Sequence, residues 1–147
     1  MYPNAENIKI SQAAKIADEA VIKQYEKEKP TGMSVAIDIY RCDVKMIDDE
    51  AIVRQFIKDL VKFIDMKTVG EPLLKNWGPT PELTGISALQ LIETSNIAIH
   101  LFPHSKEIST HVDIFSCKSF APNAAGEFCK QYFKASRLTV SPVIMRY

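Results

Sequence analysis

The chain has 147 residues, of which 46% are hydrophobic and 24% are charged, so its length suits one compact core. Its eighteen basic and eighteen acidic residues cancel, which argues against electrostatic capture of nucleic acid or of an anionic membrane and favours a small-molecule partner. No apolar run approaches the roughly 20 residues that cross a bilayer, and the first residues lack a signal-peptide layout. We therefore expect a cytoplasmic protein.

The cysteines and histidines give no sign of a metal site. Cys42, Cys117 and Cys129 are odd in number, far apart and without a Cys-x-x-Cys pair, which argues against a disulfide framework or a zinc site. The three histidines have no acidic or cysteine ligand at a fixed spacing. We expect no bound metal and reduced thiols.

The first third of the chain predicts two helices around one strand. Residues 8–29 carry apolar side chains at helical spacing, and Ser11 is a candidate N-cap. A Pro-Thr-Gly sequence at 30–32 ends this helix, and residues 33–41 read as a buried strand rich in Val and Ile. A second helix begins after Asp48 or Asp49 and has one apolar stripe, made of Ile52, Val53, Phe56, Ile57, Leu60, Val61 and Ile64.

The remainder of the chain predicts mostly strands. They cover residues 68–77, 86–93, 95–102, 108–117 and 138–145, and 86–93 with 95–102 are either two strands or one long interrupted strand. Pro122 opens a third helix that runs to about residue 135. Pro142 makes the last strand an edge strand. The pattern predicts the α+β class, a two-layer sandwich in which helices cover one face of an antiparallel or mixed sheet. We divide the chain into an N-terminal helical extension, 1–30, and a main domain, 31–147; the uncovered face of the sheet favours a homodimer.

Three short motifs carry a resemblance to a known family. They are Asp38-Ile39-Tyr40-Arg41-Cys42, Ile99-His100-Leu101-Phe102-Pro103 and Asp113-Ile114-Phe115-Ser116-Cys117. Together they resemble the prokaryotic S-adenosylmethionine decarboxylases over residues 34–133. The resemblance implies an S-adenosylmethionine decarboxylase-like fold, a homodimer, and a pyruvoyl cofactor that decarboxylates S-adenosylmethionine in polyamine and spermidine biosynthesis.

The resemblance also assigns roles to four residues. Ser95 matches the serine that becomes the pyruvoyl group when the chain cuts itself between residues 94 and 95. Ser87 matches a serine that assists this cleavage, and His100 matches the processing base. Cys117 matches the proton donor to the decarboxylated carbon.

The positions of Ser95 and His100 impose a condition on the uncut chain. The two residues are five apart, so on a regular strand their side chains point to opposite faces. We therefore expect a bend or bulge near Asn96.

Several neighbours differ from the family pattern, mainly in the expected substrate site. Thr94 replaces the glutamate whose carbonyl is attacked, and His104 replaces the glutamate that holds the substrate's ribose. Glu107 is the candidate to restore that contact. Trp77 is the candidate aromatic platform for adenine, although a tryptophan before a Gly-Pro turn is also a common core residue.

Two alternatives to S-adenosylmethionine decarboxylation remain at this stage. Without the ribose contact, the same pyruvoyl chemistry suits a smaller substrate such as arginine or ornithine. In the second alternative, the chain is a family member that does not process itself and acts as a binding or regulatory subunit.

Overall fold

A seven-stranded antiparallel sheet dominates the computed structural model, which describes residues 3–147. The helices are α1 (Gln12–Glu28), α2 (Val44–Ile47), α3 (Glu50–Phe63) and α4 (Pro122–Tyr132). The strands are β1 (Gly32–Tyr40), β2 (Leu73–Trp77), β3 (Gly85–Ile92), β4 (Ser95–Phe102), β5 (Ser109–Ser116), β6 (Arg137–Val140) and β7 (Ile144–Arg146). The strand order is β2-β3-β4-β5-β1-β6, and β7 pairs with β1 beside β6.

Helix α3 and the sheet form the centre of the core. The Asp49 carboxylate accepts hydrogen bonds from the backbone of Ala51 and Ile52, which fixes the start of α3. The predicted apolar stripe then turns inward, with Val53, Phe56, Ile57, Leu60 and Val61 all buried. The antiparallel sheet with helices packed against one face confirms the α+β prediction.

Helix α1 is fastened to α4 by a buried carboxylate. Asp18 is only 3% exposed. Its oxygens accept hydrogen bonds from the backbone of Asn123 at 2.8 Å and of Ala124 at 2.8 Å, in the first turn of α4. Ser11, the predicted N-cap of α1, also bonds the carboxylate of Glu127 at 2.6 Å. Helix α1 is thus held along α4 at two points.

The two faces of the sheet differ in cover. Along β1 the odd-numbered residues from Met33 to Ile39 are buried, whereas the even-numbered ones are half-buried. We call the second side the open face. It carries large exposed apolar side chains at Leu73, Leu89, Leu91 and Ile144, whose positions follow from the strand register.

The structure differs from the sequence prediction in three elements. The predicted strand 138–145 is two short strands, β6 and β7, because Pro142 lacks the N–H that a continuous ladder would need. The predicted strand 68–77 is regular only from Leu73, with one isolated bridge at Thr68. Helix α2 was not predicted. Among residues 3–147, no helix is long and apolar enough to span a membrane.

Candidate functional site

The turn between β3 and β4 holds the expected cleavage point. Glu93 and Thr94 form a two-residue turn closed by the pair Ile92 and Ser95. The favoured two-residue hairpin turns need a positive φ at their first residue, but here the positive φ, 145°, falls on Ser95 instead. A serine adopts this region only under strain. The strain therefore lies at the Thr94–Ser95 peptide.

The carbonyl of Thr94 already has a hydrogen-bond donor. The backbone N–H of Cys117 donates to the Thr94 oxygen at 2.8 Å. A donor in this position polarises the carbonyl and would stabilise negative charge that develops on its oxygen.

The side chain of Thr94 is held separately. Its hydroxyl donates to the Met66 sulfur at 3.1 Å and accepts from the Ser116 hydroxyl at 3.0 Å. Ser116 is fully buried, and its own oxygen accepts the backbone N–H of Lys118 at 3.0 Å. The hydroxyl of Thr94 therefore contacts the last residue of β5, and its carbonyl contacts the residue that follows.

The bend expected near Asn96 is absent. From Ser95 onward β4 is paired in regular register with β3 and β5, and Ser95 lies opposite Ile92 and Ser116, which are both buried. This register places Ser95 on the side covered by helices. The prediction was wrong because the two preceding residues, rather than Asn96, reverse the chain.

Ser87 and His100 form a pair on the open face. They are opposite each other on β3 and β4, and the Ser87 hydroxyl lies 2.9 Å from His100 Nδ1. On the neighbouring strand His111 continues this row, with its Nδ1 2.6 Å from Asp38 Oδ1. Polar groups thus cross the centre of the open face.

The structure therefore separates the predicted catalytic residues into two groups. Thr94, Ser95 and Cys117 lie at one end of β4, which we call the scissile end. Ser87 and His100 lie farther along, at what we call the histidine end. Five residues of extended strand separate Ser95 from His100, or about 16 Å between their Cα atoms. In one chain these groups do not form one site.

The three predicted substrate residues lie beyond the histidine end. Trp77 is opposite Gly85 and is 64% exposed, so it is not a core residue. His104 is exposed in the loop after β4. The Glu107 carboxylate is 3.7 Å from the side chains of both Arg41 and Arg137, so its charge is already paired.

The cysteines differ sharply in environment. Cys117 is exposed, whereas Cys42 and Cys129 are buried. Burial raises the pKa of the Cys42 thiol to about 11 and raises that of Cys129 as well. Burial also raises the pKa of Tyr25 on α1, and the charge of Cys117 adds to that rise.

Sequence reasoning missed the contacts around Thr94. Met66 follows α3 and Ser116 belongs to a motif of its own, so no spacing connects either residue with the cleavage point. The motif that contains Asp38 likewise gives no sign of its partner His111. Within residues 3–147, no group of three or more His, Cys, Asp or Glu side chains is arranged to hold a metal ion.

Comparisons with known proteins agree on one family. The family model for S-adenosylmethionine decarboxylase matches residues 33–145. An S-adenosylmethionine decarboxylase proenzyme from Synechococcus sp. (strain WH7803) is 30% identical over 105 residues, which are 71% of this chain and 77% of that protein. One from Parasynechococcus marenigrum is 33% identical over 86 residues, 58% of this chain; the match spans 62% of that protein, under two thirds of its length.

Two further matches extend the comparison. An arginine decarboxylase proenzyme from Pyrobaculum arsenaticum is 27% identical over 124 residues, 84% of this chain and 90% of that protein. The crystal structure of the adenosylmethionine decarboxylase from Aquifex aeolicus VF5 superposes with a TM-score of 0.63 at 21% identity. This superposition covers 80% of our chain and 91% of the other, and it supports the fold.

Proposed function

Because the chain belongs to the S-adenosylmethionine decarboxylase family, we propose that it is a self-processing, pyruvoyl-dependent decarboxylase. In this proposal the chain cuts itself between Thr94 and Ser95, acts on S-adenosylmethionine and serves polyamine and spermidine biosynthesis in the cytoplasm. The observation that carries the proposal is the Thr94–Ser95 peptide, which combines a φ of 145° at Ser95 with a backbone donor on the Thr94 carbonyl.

We expect cleavage to proceed in two steps that use these features. The Ser95 hydroxyl attacks the Thr94 carbonyl carbon, the peptide C–N bond breaks, and the hydroxyl proton passes to the freed amine, leaving an ester. During the attack, the Cys117 N–H holds the charge that forms on the Thr94 oxygen. Removal of the Ser95 α-proton then breaks the Cβ–O bond and releases residues 1–94 with a carboxylate at Thr94. The dehydroalanine left at residue 95 tautomerises to an imine, which water hydrolyses to a keto group and ammonia.

The residues at the scissile end are placed to work with the keto group that cleavage leaves at residue 95. The keto group left at residue 95 supplies an electron sink for the loss of carbon dioxide. Cys117 presents an exposed thiol directly after β5, and its own backbone bonds the residue before Ser95. It is therefore the candidate to hold the proton that the product needs.

A second copy of the chain is needed to complete this site. The histidine end, with the candidate base His100, is about 16 Å along β4 from Ser95. Two open faces stacked with their strands reversed would bring the histidine end of one copy against the scissile end of the other. Because the Ser95 side chain lies on the covered side, His100 of the second copy would reach it around the end of the sheet, where Glu93 and Thr94 reverse the chain. Exposed leucines on the open face, such as Leu89 at 53% and Leu91 at 62%, supply apolar surface for this contact.

S-adenosylmethionine remains the leading substrate because two of the cited relatives carry that name. Trp77 supports it, since its exposed ring near the histidine end is free to stack on adenine. Glu107 lies in the same region, but two arginines pair with it, so ribose binding would need that carboxylate to be shared.

Arginine is the second candidate substrate. His104 replaces the usual ribose carboxylate, and a relative that matches 84% of this chain is named an arginine decarboxylase proenzyme. Parallel assays of carbon dioxide release from S-adenosylmethionine, arginine and ornithine distinguish these substrates. A fully cleaved protein that turns over none of them would favour the binding-subunit alternative.

Intact-mass spectrometry of the purified protein after prolonged incubation tests self-cleavage. We expect two fragments, residues 1–94 and 95–147, the second lighter by one ammonia than simple hydrolysis would give. Ser95→Ala is the matched control and should stay whole with unchanged thermal stability, since it removes one half-buried hydroxyl. A wild-type chain that keeps a single mass, with Ser95 unmodified, would remove the enzyme proposal.

A further inference from the structure

The Thr94 side chain is more tightly held than its place in a turn requires. The Thr94 hydroxyl donates a hydrogen bond to the Met66 sulfur and accepts one from the Ser116 hydroxyl. Both partners are buried, Met66 at 8% and Ser116 at 0% exposure. A two-residue turn that joins two strands normally keeps its side chains in water.

The partners of Thr94 are themselves fixed. Lys118 Nζ bonds both the backbone oxygen of Asp65 at 2.9 Å and its carboxylate at 3.0 Å, and Asp65 precedes Met66. Ser116 bonds the backbone of Lys118. The end of β5 and the segment after α3 therefore hold Thr94 between them.

Strained backbone persists only where the surroundings over-determine it. At the scissile end, two buried anchors fix the Thr94 hydroxyl, and the Cys117 N–H fixes its carbonyl. Without the anchors, the turn would be free to rotate and Ser95 could return to a negative φ. The anchors thus maintain the turn geometry in which the Thr94 carbonyl accepts the Cys117 N–H.

We propose that Ser116 and Met66 are positioning residues for self-cleavage, which act by holding Thr94 in the geometry of attack. This inference rests on the proposed function. It concerns only the first step, in which the Ser95 Oγ–carbonyl bond forms, the C–N bond breaks and the proton moves to nitrogen. That step is an isomerisation and needs no oxidant, reductant or co-reactant.

The test compares Ser116→Ala and Met66→Leu with Thr110→Val. Thr110 is the matched control because it is also a fully buried hydroxyl on β5, but it contacts Cys42 instead. Cleavage of freshly purified protein is followed by intact mass, with and without hydroxylamine. Hydroxylamine cuts an ester at Thr94 and leaves an unmodified Ser95 amine, so it reports the first step alone.

We expect Ser116→Ala to slow both spontaneous and hydroxylamine-dependent cleavage by about tenfold to a hundredfold, since a misplacement of about 1 Å costs about a hundredfold. Met66→Leu should slow them less, and Thr110→Val should leave them unchanged at a similar thermal midpoint. Thr94→Ser, which keeps the hydroxyl, should cleave faster than Thr94→Val.

The inference is overturned if the wild type cleaves and both anchor variants cleave at the same rate, or if Thr110→Val slows as much as Ser116→Ala. A slowing confined to the spontaneous reaction, with normal hydroxylamine cleavage, also contradicts it, because the defect then lies in elimination. A wild-type chain that stays whole in both arms removes the proposed function as well.

Discussion

The two ends of β4 differ in the kind of chemical group on which their proposed roles depend. At the scissile end the key groups are backbone atoms and buried hydroxyls, and one residue has a strained φ of 145°. At the histidine end the key groups are the side chains of Ser87 and His100, which lie on the open face of a regular ladder. The scissile end holds a strained backbone within one chain. The histidine end presents the candidate base His100 on the open face, where a second copy would contact it.

This difference separates two kinds of requirement. The scissile end depends on the local fold of its own chain, so substitutions there should act on that chain alone. The histidine end faces outward, so its residues are available to a second copy.

Co-expression of two defective chains gives the largest effect. Ser95→Ala lacks the cleavage serine, and His100→Ala lacks the base, so neither should process itself. In mixed dimers, His100 of the Ser95→Ala chain should serve as the base for cleavage at Ser95 of the His100→Ala chain. Random pairing of equal amounts places about half of the His100→Ala chains in mixed dimers, so about half of them should be cleaved.

Distinct purification tags and intact-mass spectrometry measure that fraction. A His100→Ala chain that cleaves normally when expressed alone would show that the base does not come from the histidine end. Absence of cleavage in verified mixed dimers would contradict a site shared between two copies.

Thiol reactivity should differ strongly between the ends. Cys117 at the scissile end is exposed, whereas Cys42, beyond the other end of β5, is buried with a pKa of about 11. A raised pKa keeps this thiol protonated, so at pH 8 only about one in a thousand Cys42 side chains is a thiolate. Iodoacetamide should therefore label Cys117 alone, with Cys42 becoming reactive only as the pH rises toward 11.

Peptide mapping of the uncut Ser95→Ala chain between pH 7 and 10 provides the measurement. Urea-unfolded protein is the control, in which all three thiols should react. Equal labelling of Cys42 and Cys117 at pH 8 in the folded chain would contradict the burial described above.

Ser87→Ala should give an intermediate effect. Its hydroxyl is 2.9 Å from His100 Nδ1, and a hydrogen bond of this kind contributes about 0.5–1.5 kcal/mol. We expect cleavage to slow by up to about tenfold. Ser34→Ala is the matched control, because Ser34 is also on the open face but bonds Arg146. Equal slowing in both variants would indicate a general effect on the face.

The fluorescence of Trp77 should give the smallest signal. It is the only tryptophan and is 64% exposed, so its emission should respond to an aromatic ligand or to dimer contact. Titration with S-adenosylmethionine should quench or shift the emission, whereas arginine should not. Trp77→Phe removes the signal and should weaken S-adenosylmethionine binding. An equal response to arginine would contradict the adenine-stacking role.

The sequence was sufficient for most of the sheet because alternation and turn residues are local signals. Helix α3 followed from its apolar stripe and the Asp49 cap, and β4 and β5 followed from their alternation. The break at Pro142 was underestimated, since a proline marks an edge but does not say whether pairing resumes after it.

The candidate site was less accessible to sequence reasoning. The motifs identified Ser87, Ser95, His100 and Cys117 as candidate site residues. Their arrangement at two separate ends of β4 depends on strand register, which the motifs do not specify. The contact of Ser116 with Thr94 joins residues 22 apart in the chain, which no spacing rule reports. Neither the missing bend near Asn96 nor the position of the strain could be inferred without the turn geometry.

The strand order has a consequence for the protein after it is cut. Residues 1–94 contribute β1, β2 and β3, whereas residues 95–147 contribute β4, β5, β6 and β7. In the sheet these strands interleave, because β4 and β5 lie between β3 and β1, and β1 lies between β5 and β6. Neither fragment contains a complete sheet.

The processed protein is thus a pair of chains that remain together without a covalent link, because each supplies strands the other lacks. Folding must come first, while the turn at residues 93–94 still joins the parts. Once unfolded, the cut protein must reassemble from two molecules instead of one, so its recovery becomes dependent on concentration. Cleavage makes the fold a state that the chain reaches easily once and regains with difficulty.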